Sequence, residues 1–114
     1  MIGAVQIQAI LMQYKRHGWI LRRVLLCPAT AESLADSLEN LFGETPIASS
    51  EIDAAWFSRQ SETGSETWEL RRLSQTPLAL IEVFEDADDE TVREEARFEM
   101  QQQLISGKRK TDNG

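Results

Sequence analysis

Residues 52–84 of this chain read IDAAWFSRQSETGSETWELRRLSQTPLALIEVF, and they predict most of its architecture. They contain three runs rich in β-branched and aromatic residues, which are typical of strands. These runs are Ile52–Arg59, Thr67–Leu73 and Leu78–Phe84. The residues between them, Gln60–Glu66 and Ser74–Pro77, are rich in turn formers. The stretch therefore predicts a three-stranded antiparallel meander.

Upstream of the meander, the sequence predicts a strand followed by a helix. Trp19–Cys27 is dense in Ile, Leu and Val and stops at Pro28, which favours an extended segment. Thr30 can then cap a helix that ends at Gly43. Its apolar face comprises Ala31, Leu34, Ala35, Leu38, Leu41 and Phe42. After a loop over Glu44–Ser50, we expect a crossover that leaves the first strand parallel to the first meander strand, at either edge of the meander.

Both ends of the chain have helical periodicity. Residues 3–16 carry apolar residues at helical spacing before Gly18, although the alternation at residues 5–9 also fits a strand. Asp88 or Asp89 can begin a last helix, whose apolar residues recur every four positions up to Gly107. These residues are Val92, Ala96, Met100 and Leu104.

Together these elements predict a single α+β domain over residues 1–107. It consists of a mixed four-stranded sheet packed with two or three helices. Residues 108–114 contain no apolar residue and predict a disordered tail.

Composition restricts the classes of partner. The 114 residues carry a formal net charge of −7, which repels a phosphate backbone and argues against nucleic acid. The apolar runs are too short to cross a bilayer, and the first residues lack the basic start of a secretory signal. One cysteine permits no internal disulfide. We therefore expect a cytoplasmic protein that does not bind membranes.

The alternation of side chains along each strand predicts which residues share a face of the sheet. The expected core face comprises Ile20, Val24, Leu26, Ile52, Ala54, Trp56, Trp68, Leu70, Ala79, Ile81 and Val83. The opposite face mixes charges with large apolar side chains. Those apolar side chains are Trp19, Leu21, Leu25, Phe57, Leu80 and Phe84. Because water alone does not explain them, we expect the N-terminal helix, a partner subunit or a small molecule to cover part of this face.

The function favoured by this pattern is a non-enzymatic module that binds another protein or itself. We expect the N-terminal helix and the second sheet face to supply its contact residues. These residues are Ile7, Leu11, Tyr14, Trp19, Phe57, Leu80 and Phe84. A homodimer and an acidic adaptor of a basic protein are both consistent with the composition.

Cys27 supports a different hypothesis, a small thiol-dependent or ligand-binding enzyme. It ends a strand and precedes a helix, where the helix dipole can lower the pKa of a thiol. The sequence Cys27-Pro28-Ala29-Thr30 resembles the redox site of thioredoxin-like proteins, which implies a redox thiol. Unlike that family, this chain has no second cysteine to resolve a mixed disulfide.

Other signals of chemistry are weak. The acidic run that begins at Glu85 lacks the spacing of a calcium loop, and His17 and Cys27 are too few to bind zinc. The helix, three strands and helix from Thr30 to Ile105 resemble double-stranded-RNA-binding domains in order, but acids replace the basic patch of that family. We therefore expect no metal and no cofactor.

Overall fold

A computed structural model describes residues 2–74 and 78–106 of the chain. This part of the chain forms an α+β fold with one mixed five-stranded sheet and four α-helices. The helices are α1 (Ala4–Arg16), α2 (Pro28–Ser33), α3 (Leu38–Phe42) and α4 (Glu90–Ser106). The strands are β1 (Ile20–Leu26), β2 (Ile47–Ser49), β3 (Ala54–Gln60), β4 (Glu66–Arg72) and β5 (Ala79–Phe84). The predicted α+β class is confirmed, with one strand more than expected.

The strand order in the sheet is β2-β1-β3-β4-β5. The meander β3-β4-β5 is antiparallel, as predicted. The predicted direction of β1 is wrong, because β1 runs antiparallel to β3. Its parallel partner is the short strand β2, in a segment that the sequence predicted as loop. The helical connection after β1 therefore leads to the parallel strand β2. The chain then reverses its direction before it enters β3.

The helical connection after β1 is broken into short pieces. A 3-10 turn at Ala35–Ser37 separates α2 from α3, where the sequence predicted one continuous helix. The connection begins at Pro28, whose fixed φ suits a first helical turn, rather than at Thr30. It ends as predicted at Gly43, where φ is +57°.

The two faces of the sheet are covered by different helices. On one face, α1, α2 and α3 pack over β1 and β3 around a core that includes Ile7, Val24, Phe42 and Phe57. On the other face, Met100 and Leu104 of α4 pack against side chains from β1, β3 and β4. We call these the α1 face and the α4 face. The fold is thus three-layered, with the sheet in the middle.

The predicted division of side chains between the faces is correct for β3 and β4, wrong for the second half of β1 and reversed along all of β5. A β-bulge at Arg22 shifts the alternation of β1, so Val24 packs on the α1 face and Leu25 on the α4 face. In β5, Leu80 lies opposite Leu70 and shares the α4 face with it. Since β5 is apolar on both sides, its sequence pattern alone did not show which side lies on the α4 face.

Helix α4 packs Met100 and Leu104 against the sheet as predicted, but Arg97 and not Val92 continues its buried side. Arg97 is only 5% exposed and is buried together with Met100 and Leu104, whereas Val92 is half exposed. The guanidinium of Arg97 lies 4.5 Å from the centre of the Trp68 ring. Its exposed ion-pair partners are Glu90 and Glu94. Arginine can thus line this interface because its long side chain packs against the sheet while its guanidinium reaches exposed carboxylates of α4.

Within the described ranges, no helix is long and apolar enough to cross a membrane. The predicted tail at residues 108–114 lies outside the described residues.

Candidate interaction surface

Strand β5 forms one edge of the sheet, and within residues 2–74 and 78–106 only β4 pairs with it. The backbone N–H of Arg72 donates to the carbonyl of Leu78 at 2.8 Å, so the backbone groups of Leu78 face β4. Because bonding alternates along an antiparallel ladder, Leu80, Glu82 and Phe84 also bond towards β4. The N–H and C=O groups of the intervening residues point outward from the edge. These residues are Ala79, Ile81 and Val83.

The same three residues also expose their side chains, on the α1 face of the sheet. Ile81 is 60% exposed and Val83 48% exposed, and Ala79 is exposed as well. We call Ala79, Ile81 and Val83 the β5 edge surface. It combines free backbone groups with an apolar stripe along one strand.

The two edges of the sheet differ in how they limit pairing with other chains. Strand β2 has three residues and follows Pro46, and short edge strands with nearby proline discourage pairing. Strand β5 has six residues, and Glu82 is its only charged residue. A long apolar edge strand is a site at which another strand can add.

Charges of opposite sign lie at the two ends of β5. At its start, Ala79 pairs with Arg71 of β4, and Arg72 follows Arg71 in that strand. Among the described residues neither arginine has an ion-pair partner, and the buried Nε of Arg71 has no hydrogen-bond partner. Just after its end lie Glu85 and Asp86, both exposed.

Tyr14 marks the boundary between the covered and open parts of the α1 face. Its hydroxyl donates to the carboxylate of Glu69, a nearly buried residue of β4. Burial and this carboxylate raise the pKa of the Tyr14 hydroxyl above its ordinary value. A cleft of about 150 Å³ opens here between Tyr14, Trp19 and Glu69. It is smaller than the roughly 300 Å³ at which small-molecule pockets begin.

The seven residues predicted to contact a partner fall into two groups. Ile7, Leu11, Tyr14, Trp19 and Phe57 lie together in the core under α1. Leu80 and Phe84 lie on the α4 face, away from them. Ile7, Phe57 and Phe84 are buried, and the other four are partly buried.

The sequence prediction placed the β5 edge surface in the core. Alternation along β5 does identify Ala79, Ile81 and Val83 as residues of one face. The missing information was the register between β5 and β4, which determines which of the two faces that is.

Cys27 caps the start of α2 and is held by Asp53. The Asp53 carboxylate accepts hydrogen bonds of 2.8 Å from the Cys27 N–H and the Thr30 hydroxyl. Burial, followed by the charge of Asp53, raises the pKa of the Cys27 thiol. A shallow groove of about 690 Å³ lies beside it, bordered by Pro28 and Ile105. A raised thiol pKa leaves less of the nucleophilic thiolate at neutral pH, which does not favour a thiol-dependent enzyme.

No cluster of three or more His, Cys, Asp or Glu side chains suited to a metal ion occurs in residues 2–74 and 78–106. Comparisons with protein-family models, with curated proteins and with solved structures found no match to this chain.

Proposed function

We propose that this protein is a non-enzymatic interaction domain that recruits an extended strand from a protein partner to its β5 edge. The observation that supports this proposal is the β5 edge surface itself. Its outward backbone groups can bond an added strand, while Ile81 and Val83 supply apolar contact on the α1 face. The helices contribute by supporting the sheet from both sides.

Helix α4 places an exposed apolar residue near the same edge, on the other face of the sheet. Gln101 accepts a hydrogen bond from Trp56 Nε1 at 2.9 Å, so that side of the helix is directed towards β3. Val92 lies on the opposite side of α4 and is 50% exposed. A strand added to β5 would therefore have apolar side chains near it on both faces.

A labelled peptide tests whether the edge accepts a strand. We expect a synthetic peptide of residues 78–86 to raise its fluorescence anisotropy when the full-length protein is added. The same peptide with proline at position 81 should bind far less, because proline removes a backbone donor. Equal anisotropy changes with the two peptides would contradict strand addition.

Two protein variants locate the binding site. Ile81→Lys places a charge within the β5 edge surface and should abolish peptide binding. Ile20→Lys is the matched control, since Ile20 is a strand isoleucine with 51% exposure outside this surface. If both variants bind the peptide like the unmodified protein, β5 is not the binding edge.

A further inference from the structure

We propose that the strand recruited to β5 is the β5 strand of a second copy of this chain, antiparallel to the first, with Ile81 on the twofold axis. This inference rests on the proposed function, because it identifies the partner of the same edge. The arrangement would join two five-stranded sheets into one continuous sheet. It is an isologous contact, in which the same surface serves both copies.

The outward backbone groups restrict how two β5 strands can pair. An antiparallel hydrogen-bonded pair requires outward groups on both residues, so Ala79, Ile81 and Val83 must pair among themselves. The twofold axis must therefore pass through a residue position and not between two residues. The two central choices, which overlap the strands most fully, are Ile81 and Glu82.

Charge distinguishes these two registers. An axis at Glu82 would place the Glu82 carboxylates of both copies directly opposite each other, which is destabilising. An axis at Ile81 places Glu82 opposite Leu80 of the second copy. Ile81 then meets its own equivalent, and Ala79 meets Val83. The second register avoids the repulsion and brings the exposed apolar side chains together.

The charges at the ends of β5 favour an antiparallel partner of the same sequence. Antiparallel pairing brings the start of one β5 beside the end of the other. Arg71, which forms no ion pair among the described residues, would then lie near the acidic end of the second copy. That end carries Glu85 and Asp86, both exposed. Each copy thus supplies both halves of a complementary pair of charges.

Cross-linking between copies with a short bis-thiol reagent tests this register directly. With Cys27 replaced by serine, each introduced cysteine is the only one in the chain. Hydrogen-bonded pairs on neighbouring strands lie about 5.5 Å apart at Cα, and their Cβ atoms are farther apart than a disulfide prefers, so we use the short bis-thiol reagent dibromobimane. With this reagent, Ile81→Cys alone should form a cross-linked dimer. Ala79→Cys or Val83→Cys alone should not, whereas an equimolar mixture of these two should.

Each other outcome overturns part of the proposal. If a mixture of Ile81→Cys and Val83→Cys links efficiently while Ile81→Cys alone does not, the axis lies at Glu82 and the register is wrong. If sedimentation shows only monomer up to hundreds of micromolar, the second copy is not the partner. Peptide binding by that monomer would leave strand recruitment standing, whereas its absence would overturn both proposals.

Discussion

Tyr14 stacks on Phe57, with the two ring centroids 3.9 Å apart and the ring planes 12° from parallel. This contact joins α1 to β3 across the α1 face, while the Tyr14 hydroxyl reaches Glu69 on the next strand. Trp19 packs edge-on against the Tyr14 ring, with centroids 5.9 Å apart. One side chain therefore fixes the helix to two strands and limits how far α1 extends over the sheet.

Tyr14→Phe tests the contribution of the hydroxyl, because it keeps the aromatic stack. Glu69 is nearly buried, and the Tyr14 hydroxyl is its hydrogen-bond partner. Leaving a buried acceptor unsatisfied costs about 1–3 kcal/mol of unfolding free energy. We expect a loss in this range in urea denaturation. Combining Tyr14→Phe with Glu69→Leu should cost less than the sum of the two changes, and strict additivity would contradict the coupling.

The raised pKa of Tyr14 predicts a loss of stability in alkaline solution. In the unfolded chain the hydroxyl titrates near its ordinary value of about 10, whereas the folded protein retains the proton to higher pH. The stabilisation is therefore complete below about pH 10 and is lost as the pH rises through the folded pKa.

Unfolding free energies measured between pH 9 and pH 12 check this prediction. The Cys27→Ser background removes a thiol whose raised pKa acts in the same direction. In that background, the slope above about pH 10 should be shallower for Tyr14→Phe than for the parent. Parallel curves would show that Tyr14 does not control the alkaline transition.

The sequence predicted the meander because its strands are adjacent and separated by turn residues, so local pattern was sufficient. It did not predict β2, since a three-residue strand leaves no periodicity. The bulge at Arg22 was also not predicted, although the adjacent charges of Arg22 and Arg23 interrupt the apolar pattern of this strand. The candidate surface depended on another non-local feature, the register between β5 and β4. Whether Ile81 is core or surface follows from its pairing opposite Glu69, which no local pattern defines.

Arg97 should stabilise the α4 face mainly through packing and ring contact. Its guanidinium lies over Trp68, but its ion-pair partners Glu90 and Glu94 are exposed. Exposed ion pairs contribute at most about 1 kcal/mol, whereas a desolvated cation–π contact contributes about 2 kcal/mol. We expect Arg97→Ala to lower the unfolding free energy by about 2 kcal/mol and Glu90→Gln to change it little. A larger loss for Glu90→Gln would show that the ion pair dominates.

The Cys27 thiol should react slowly at neutral pH. Burial and the Asp53 carboxylate both favour the neutral thiol. The rate of alkylation by iodoacetamide should therefore reach its midpoint above the roughly 8.5 of an unperturbed thiol. N-acetylcysteinamide, which has no free carboxylate to raise its thiol pKa, provides the reference in the same buffers.

Asp53→Asn separates the effect of burial on the pKa of the Cys27 thiol from the effect of the Asp53 charge. It removes the negative charge beside Cys27 and should lower the midpoint pH of alkylation relative to the unmodified protein. Burial remains, so we expect the midpoint to stay above that of N-acetylcysteinamide. Circular dichroism should confirm that α2 persists, because the introduced asparagine retains a side-chain oxygen that can accept from the Cys27 N–H. A midpoint in the unmodified protein at or below that of the reference thiol would instead favour the thiol-dependent enzyme over the interaction domain.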